Sequence, residues 1–314
     1  MFIRKITSFI LTIILVLSML SVTSFAGSEK AQPQNEVQIK NIIFMIPDGG
    51  GDTLMDLADM VKQAGGFDRT KYPNATITDT KPLTLLSYLA GFETTRSANS
   101  SVTDSAAGGT ALSSGYKTNN GYIGVDTKKV PKATILEVAQ SLGKATGIVS
   151  TAEWPHATPA SYTAHAESRN DYYNIYKQIE NKELNVVLGA AYGKVTEFEG
   201  ATLDNARNAG YKIIRTPQEA ASVQPGDKVW GNVGTSSLPM DIQNPADKAS
   251  LPELTKAAIT ALSADPDGFF LMVEGSWVDS GGHNSNAVQT TSEYLAFDES
   301  WKVAVEFAKA ETIQ

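Results

Sequence analysis

The chain of 314 residues has no cysteine. That removes disulfides, thiolate nucleophiles and Cys-ligated metal together, so any metal must rest on oxygen and imidazole. Imidazole is also scarce: His156, His165 and His283 are the only three histidines. Basic residues are outnumbered, 26 Lys and Arg to 34 Asp and Glu for a formal charge of −8, and nowhere form a block. Nucleic-acid binding is therefore not expected. With 42% hydrophobic residues and no low-complexity linker or internal repeat, the chain has the makings of a packed core rather than a disordered one.

The amino terminus reads separately. Arg4 and Lys5 precede an apolar stretch from Ile6 to about Val22, and Ser24-Phe25-Ala26 offers small residues for cleavage. Residues 1–26 are expected to be a secretory signal. The alternative, a retained membrane anchor, is weakened by Thr7, Ser8, Thr12, Ser18 and Ser21 within the stretch. Residues 27–36 read as a flexible polar leader and residues 37–314 as a single domain. The expected product is acidic, secreted to the cell exterior, wall or periplasm, and without a stable membrane anchor.

The domain alternates strand and helix. Asn41 to Ile46 is a continuous apolar run stopped by Pro47, the pattern of a strand covered on both faces. A helix is predicted over Thr53–Ala64, capped by Asp52 or Thr53 and stopped by Gly65. Further helices are predicted near Thr134–Leu142, Tyr172–Glu180, Pro252–Ser263 and Phe297–Ala308. Strands are predicted at Thr146–Thr151, Leu184–Leu188, Tyr211–Ile214 and Phe269–Val273, and Asn119-Asn120-Gly121 reads as a hairpin turn. This order implies an α/β fold, a mostly parallel central sheet with helices on both faces.

In such sheets ligands bind beyond the carboxyl ends of the strands. Asp48 follows the first strand, Thr151–Thr158 the second, and Glu274, then Asp279 and His283, the strand at Phe269–Val273. Oxygen and imidazole donors at one edge suggest divalent cations. Asp279 and His283, four apart, can face the same way on a helical turn and grip one Zn. The pair also suits an ordinary solvated loop, and Asp48 also suits a plain helix cap. Thr103 to Ala111 reads as a turn entering a helix of small residues, with Ser105 in the first turn, where free amides and the helix dipole favour an anion. A serine without a neighbouring base can be activated by a cation on its oxygen. Arg169 can fork two phosphate oxygens or make a surface ion pair. His165 reads as a packing residue on a helix.

These residues resemble the bacterial and animal alkaline phosphatases. The resemblance runs from about Asn41 to Ala308 and is carried by Ile46-Pro47-Asp48-Gly49, Val102–Ala111, Ser150–His165 and Val273–His283. It implies a metal-dependent phosphomonoesterase in which Ser105 becomes phosphorylated by in-line attack and is then hydrolysed, with paired metals stabilising the oxygens. By position, Asp48 resembles the carboxylate bridging the Mg site and one Zn site. Thr158 and Glu274 resemble the other Mg ligands, Asp279 and His283 two ligands of the second Zn. Asp104 and Arg169 fall at the substrate phosphate. His156 falls beside the Mg site, where it is expected to tune metal preference. Zn2+ and Mg2+ are thus the implied cofactors, small phosphate monoesters the implied substrates, and a homodimer an expectation of the resemblance alone.

The family pattern continues past a helix like Phe297–Ala308 into a strand ending in an Asp-His pair and a later lone His, whereas this sequence ends at Gln314. The expectation is a C-terminally truncated member with a completable Mg site, unfinished Zn sites, an uncovered sheet edge and impaired turnover. Two rival readings remain. One is another superfamily esterase, a phosphodiesterase, sulfatase or mutase. The other is an exported protein that binds metal or phosphate without turnover.

Overall fold

The computed structural model describes residues 39–73, 75–76, 79–190, 204–232, 240–243 and 246–312. The signal and leader over residues 1–36 lie outside them. The described elements belong to a unit beginning at Lys40. Six strands form one sheet: β1 (Ile42–Pro47), β2 (Ala145–Glu153), β3 (Val186–Ala190), β4 (Lys212–Ile214), β5 (Val229–Asn232) and β6 (Phe269–Gly275). Their order is β1-β6-β2-β3-β5-β4 and every pairing is parallel.

The helices are α1 (Asp52–Gln63), α2 (Ser105–Ser114), α3 (Ile135–Ser141), α4 (Ala157–Thr163), α5 (Tyr172–Asn181), α6 (Pro217–Ala221), α7 (Leu251–Leu262), α8 (Trp277–His283) and α9 (Ala287–Thr312). Side-chain alternation along β6 divides the core. Phe269, Leu271 and Val273 face α7 and α9, burying Leu254, Ala258 and Phe297. Phe270 and Met272 face the other way, onto Leu136 of α3, Ala160 and Tyr162 of α4 and Ile175 of α5. Both sheet faces are therefore covered, as the unbroken apolar runs require. β1 lies at one edge, paired on one side only, and each of its residues is half-buried.

Several expectations are corrected. The cap of α1 is Gly51, not Asp52 or Thr53; Asp52 is the first helical residue and its carboxylate accepts from Thr53 N at 2.8 Å. The helix expected at Phe297 begins at Ala287, because Gln289 to Glu293 are polar yet buried and so carried no apolar periodicity. β5 was not expected at all, its short Val-Trp-Gly-Asn segment lacking alternation. The Asn119–Gly121 turn is real, closed by Tyr122 N onto Asn119 O at 3.1 Å, but Ile123 bridges to Ala166 rather than to the segment before the turn.

α1, α9 and the 3-10 turn at Thr84–Tyr88 are tied behind the first loop by a buried ion pair. Lys62 Nζ lies 2.7 Å from Asp298 Oδ2, and Asp298 Oδ1 accepts from Leu85 N at 3.0 Å. Removing one partner leaves the other charge buried alone. Lys62→Met should cost about 3–5 kcal/mol of unfolding free energy in denaturant titration. Lys62→Met with Asp298→Leu should recover most of that loss.

Candidate active site at the carboxyl edge of the sheet

Strand register assembles the site. Glu274 pairs with Ile46 of β1 on one side and Ser150 of β2 on the other, so the loops after all three strands open at the same edge. The central position costs Glu274 all contact with solvent: it is 0% exposed. Ser150 Oγ donates to Glu274 Oε2 at 2.5 Å, while Oε1 is buried with no hydrogen-bond partner. Burial and then the charge of Asp48 push the Glu274 carboxyl up to about 8. Asp48 is pushed up to about 6, first by burial and then by Asp279, against the Ser105 hydroxyl and Arg169, which lower it. Burial pushes up Glu274 with Asp48 beside it, and Asp48 with Asp279 beside it, so this row of carboxylates calls for a cation or a proton among them.

The Asp48 loop owes its path to glycine. Gly49 has φ +67°, and a Cβ there would lie 2.6 Å from Asp279 Oδ1, so the backbone passes Asp279 at a separation that excludes a side chain. On α8, Asp279 Oδ2 and His283 Nε2 lie 3.4 Å apart, the same-face placement expected of residues four apart; the His283 side chain is 80% exposed. Thr158, in the first turn of α4, is buried, and its hydroxyl, near Glu274 without reaching hydrogen-bond geometry, lowers that carboxyl.

Opposite the carboxylates stands the serine. Asp104 caps α2, its Oδ1 accepting from Ala107 N at 2.9 Å, which makes Ser105 the first helical residue. Ser105 Oγ donates to Asp48 Oδ2 at 2.9 Å. The serine thus has a carboxylate neighbour that sequence reasoning had not placed on it directly. Small residues let α2 lie close to α4: a Cβ on Gly109 would collide with Ser161 Oγ.

Arg169 reaches the same point from the loop after α4. Its Nη1 donates to Asp104 Oδ2 at 3.1 Å, and its Nη2 lies 3.1 Å from His156 Nε2. Since guanidinium only donates, His156 Nε2 must accept and the ring is neutral with its proton on Nδ1. Burial and then the Arg169 charge lower His156 to about 4, which agrees. Two of the five guanidinium N–H groups are engaged and three are left for a ligand.

The structure therefore brings Asp48, Asp104, Ser105, His156, Thr158, Arg169 and Glu274 to one edge, with Asp279 against Gly49 and His283 on the exposed side of Asp279. His165 stands apart and outside any helix, its Nδ1 2.6 Å from Gly124 O and its Nε2 3.0 Å from Glu137 Oε1. Among the described residues no three His, Asp or Glu side chains form a ready-made metal cage. The sequence placed Ser150 and Thr151 at the site edge but assigned neither hydroxyl a contact. Thr151 Oγ1 accepts from Ser276 N at 2.8 Å and Trp277 N at 3.3 Å, fixing the start of α8. Adjacent hydroxyl residues directly after the buried Ile148-Val149 pair of β2 were the available signal.

Among the described residues no helix is long and apolar enough to cross a membrane. The family model for alkaline phosphatase matches residues 39–314. Alkaline phosphatase 3 of Bacillus subtilis is 34% identical over 293 residues, 90% of this chain and 61% of that protein. The Escherichia coli alkaline phosphatase is 32% identical, over 87% of this chain and 67% of its own length. The chain thus spans about two thirds of the length of the curated relatives it matches. Among solved structures, a cold-active alkaline phosphatase of Shewanella sp. superposes with a TM-score of 0.75 at 30% identity, covering 86% of this chain and 65% of that one. That of the Antarctic bacterium TAB5 gives 0.71 at 30% identity, covering 87% and 75%. A variant of the latter was solved with Mg bound in its M3 site. On this match of sequence and fold, the chain belongs to the alkaline phosphatase family.

Proposed function

We propose that this protein hydrolyses small phosphate monoesters through a phosphoserine at Ser105, with Mg2+ and Zn2+ as its metals. The observation that carries the reading is the Ser105 hydroxyl, at the amino end of α2, 2.9 Å from Asp48 Oδ2, with the Arg169 guanidinium held beside it by Asp104. A phosphoryl group there meets a nucleophile, free helix amides and three spare guanidinium N–H groups.

The donor set fits magnesium. Asp48, Glu274 and Thr158 are all hard oxygen donors, and the orphaned Glu274 Oε1 and Thr158 Oγ1 are buried polar atoms that a hydrated cation would satisfy. Asp279 and His283 fit part of a zinc set, one carboxylate and one imidazole, with Asp48 adjacent. Bound cations supply Lewis acidity there, lowering the pKa of oxygens they touch and neutralising the carboxylates.

The residues of the chain then divide the work. Ser105 Oγ attacks phosphorus as the ester P–O bond on the opposite side breaks, and the alcohol departs with a proton from water. Asp48 Oδ2 accepts the hydrogen bond of the Ser105 hydroxyl and so orients Oγ, and a cation on that serine oxygen would let it shed its proton to solvent. Arg169 binds and orients the phosphoryl oxygens in both steps, kept in place by Asp104 and His156. In the second step a water oxygen attacks phosphorus, the bond to Ser105 breaks, and the serine recovers its proton. Export belongs to the same reading, supported by Arg4, Lys5 and the apolar residues that follow them.

With Mg2+ and Zn2+ supplied, a chromogenic phosphate monoester should be hydrolysed at alkaline pH, faster than a diester or a sulfate ester. A chelator should abolish turnover, and Ser105→Ala should reduce it by about a hundredfold or more. Preference for the diester or sulfate, or an unaffected Ser105→Ala variant, would overturn the reading.

A second expectation concerns stability. A carboxyl whose folded pKa is raised stabilises the fold below its unfolded pKa, and that contribution is lost as pH rises through the folded value. The metal-free chain should therefore lose stability as pH rises from the ordinary carboxylate range through about 8, the value to which Glu274 is pushed. Mg2+ should raise the melting temperature more at alkaline than at acidic pH. Glu274→Gln should flatten both dependences in thermal melts.

A further inference from the structure

The Asn119–Gly121 turn touches both halves of the phosphoryl site. Asn120 Oδ1 accepts from Asp104 N at 3.1 Å and Asn120 Nδ2 donates to Val102 O at 3.0 Å, so one amide side chain straddles Thr103 and holds the approach to Ser105. The next residue holds the other half. Gly121 N donates to Asp104 Oδ2 at 3.0 Å, and Gly121 O accepts from Arg169 N at 2.7 Å. Gly121 has φ +86°, a conformation that side-chain-bearing residues rarely adopt. The turn is itself anchored from outside: Asn99 Oδ1 accepts from Asn120 N at 2.9 Å, and Ala98 N donates to Thr118 O at 2.8 Å.

Arg169 is thus fixed twice from one place. Its backbone hangs on Gly121, and its guanidinium on the Asp104 carboxylate that Gly121 also holds. The amide of Asp104 is in turn held by Asn120. None of these groups is hydrogen-bonded to the serine oxygen, and together they tie the segments that carry nucleophile and guanidinium to one turn.

We propose that Asn120, with Gly121, is a positioning residue that sets the spacing of the Ser105 hydroxyl and the Arg169 guanidinium, and so the affinity of the site for the phosphoryl group that spans them. The inference rests on the reading of Ser105 and Arg169 given above. Without the Asn120 amide, Val102 to Asp104 loses its backbone ties to the turn, while the Asp104 carboxylate keeps its bonds to Gly121 and Arg169 and the helix cap persists. The nucleophile would then drift relative to an arginine that is still bonded to Gly121.

The test uses the full chain loaded with Mg2+ and Zn2+, comparing the unaltered protein with Asn120→Ala and with Asn99→Ala, whose lost contact lies on the exposed side of the turn. Calorimetric affinity for inorganic phosphate, KM and kcat for a phosphate monoester, and the melting temperature are read for each. Asn120→Ala should weaken phosphate binding and raise KM by about tenfold, and Asn99→Ala should shift both less in the same direction. In an Arg169→Ala background, Asn120→Ala should change phosphate affinity by less than about twofold, because its effect passes through the geometry shared with the arginine. Unchanged phosphate affinity in folded Asn120→Ala, or equal loss in both backgrounds, would overturn the positioning role alone. Failure of the unaltered protein to bind phosphate would instead overturn the reading of the site, and this inference with it. Should Asn120→Ala not fold, Asn99→Ala decides: unchanged phosphate affinity there overturns the role.

Discussion

A carboxylate with no exposed surface sits at the end of the second strand of the sheet, and the surrounding structure is organised around its lack of a positive partner. Glu274 has one oxygen bonded to Ser150 and the other to nothing. An ion buried without a counter-charge costs several kcal/mol even after relaxation. No Lys or Arg is an ion-pair partner of Glu274 among the described residues; Lys62, the most deeply buried cation, is committed to Asp298 behind α1. The price of that buried charge is lowered by a proton or by a metal ion. The half-buried Asp48 beside it makes a similar demand: its charge raises Glu274, and Asp279 in turn raises Asp48.

The same arithmetic limits the serine site. The amino end of α2 favours an anion by roughly 0.3–1 kcal/mol, up to about 2 when partly buried. Two charges about 6 Å apart at an effective dielectric near 20 interact by roughly 3 kcal/mol. Asp48, when ionised 2.9 Å from the Ser105 hydroxyl, therefore outweighs the helix end, and Arg169 spends part of its charge on Asp104. An anion approaching the Ser105 hydroxyl is opposed by the Asp48 carboxylate as long as it is ionised and unpaired. On the proposed reading, metal dependence follows from placing the amino end of α2 beside Asp48.

Much of this was legible before any coordinates. β1 and β6 announce themselves as apolar runs, and Asp48 just past the one and Glu274 near the end of the other follow from the rule that ligands gather at the carboxyl edge. The Asp104-Ser105 helix start is a local pattern and was read locally. What escaped has a common cause. Ser150, Thr151 and Asn120 act through contacts between segments distant in sequence, and a hydroxyl or amide carries no periodicity to mark it. The first turns of α9 escaped for the opposite reason: Gln289 to Glu293 look like a surface, yet Glu293 is buried, with Oε1 accepting from Asp241 N at 2.6 Å. Hydrophobic pattern reports burial of apolar groups only.

β6 also poses a register problem that its side chains cannot solve alone. A strand with one polar face is locked in place because a one-residue slip would bury the wrong side. β6 is apolar on both faces, Phe269, Leu271 and Val273 on one and Phe270 and Met272 on the other, so a slip exchanges one buried hydrophobe for another. Polar contacts at its two ends supply the missing discrimination. Phe269 N donates to Asn41 Oδ1 at 3.1 Å at the start, and Ser150 Oγ donates to Glu274 at the finish. A slip by one residue would break both and turn Glu274 into the face packed by α7 and α9, away from Asp48. The group that makes the site costly is therefore also the group that fixes where the strand must lie.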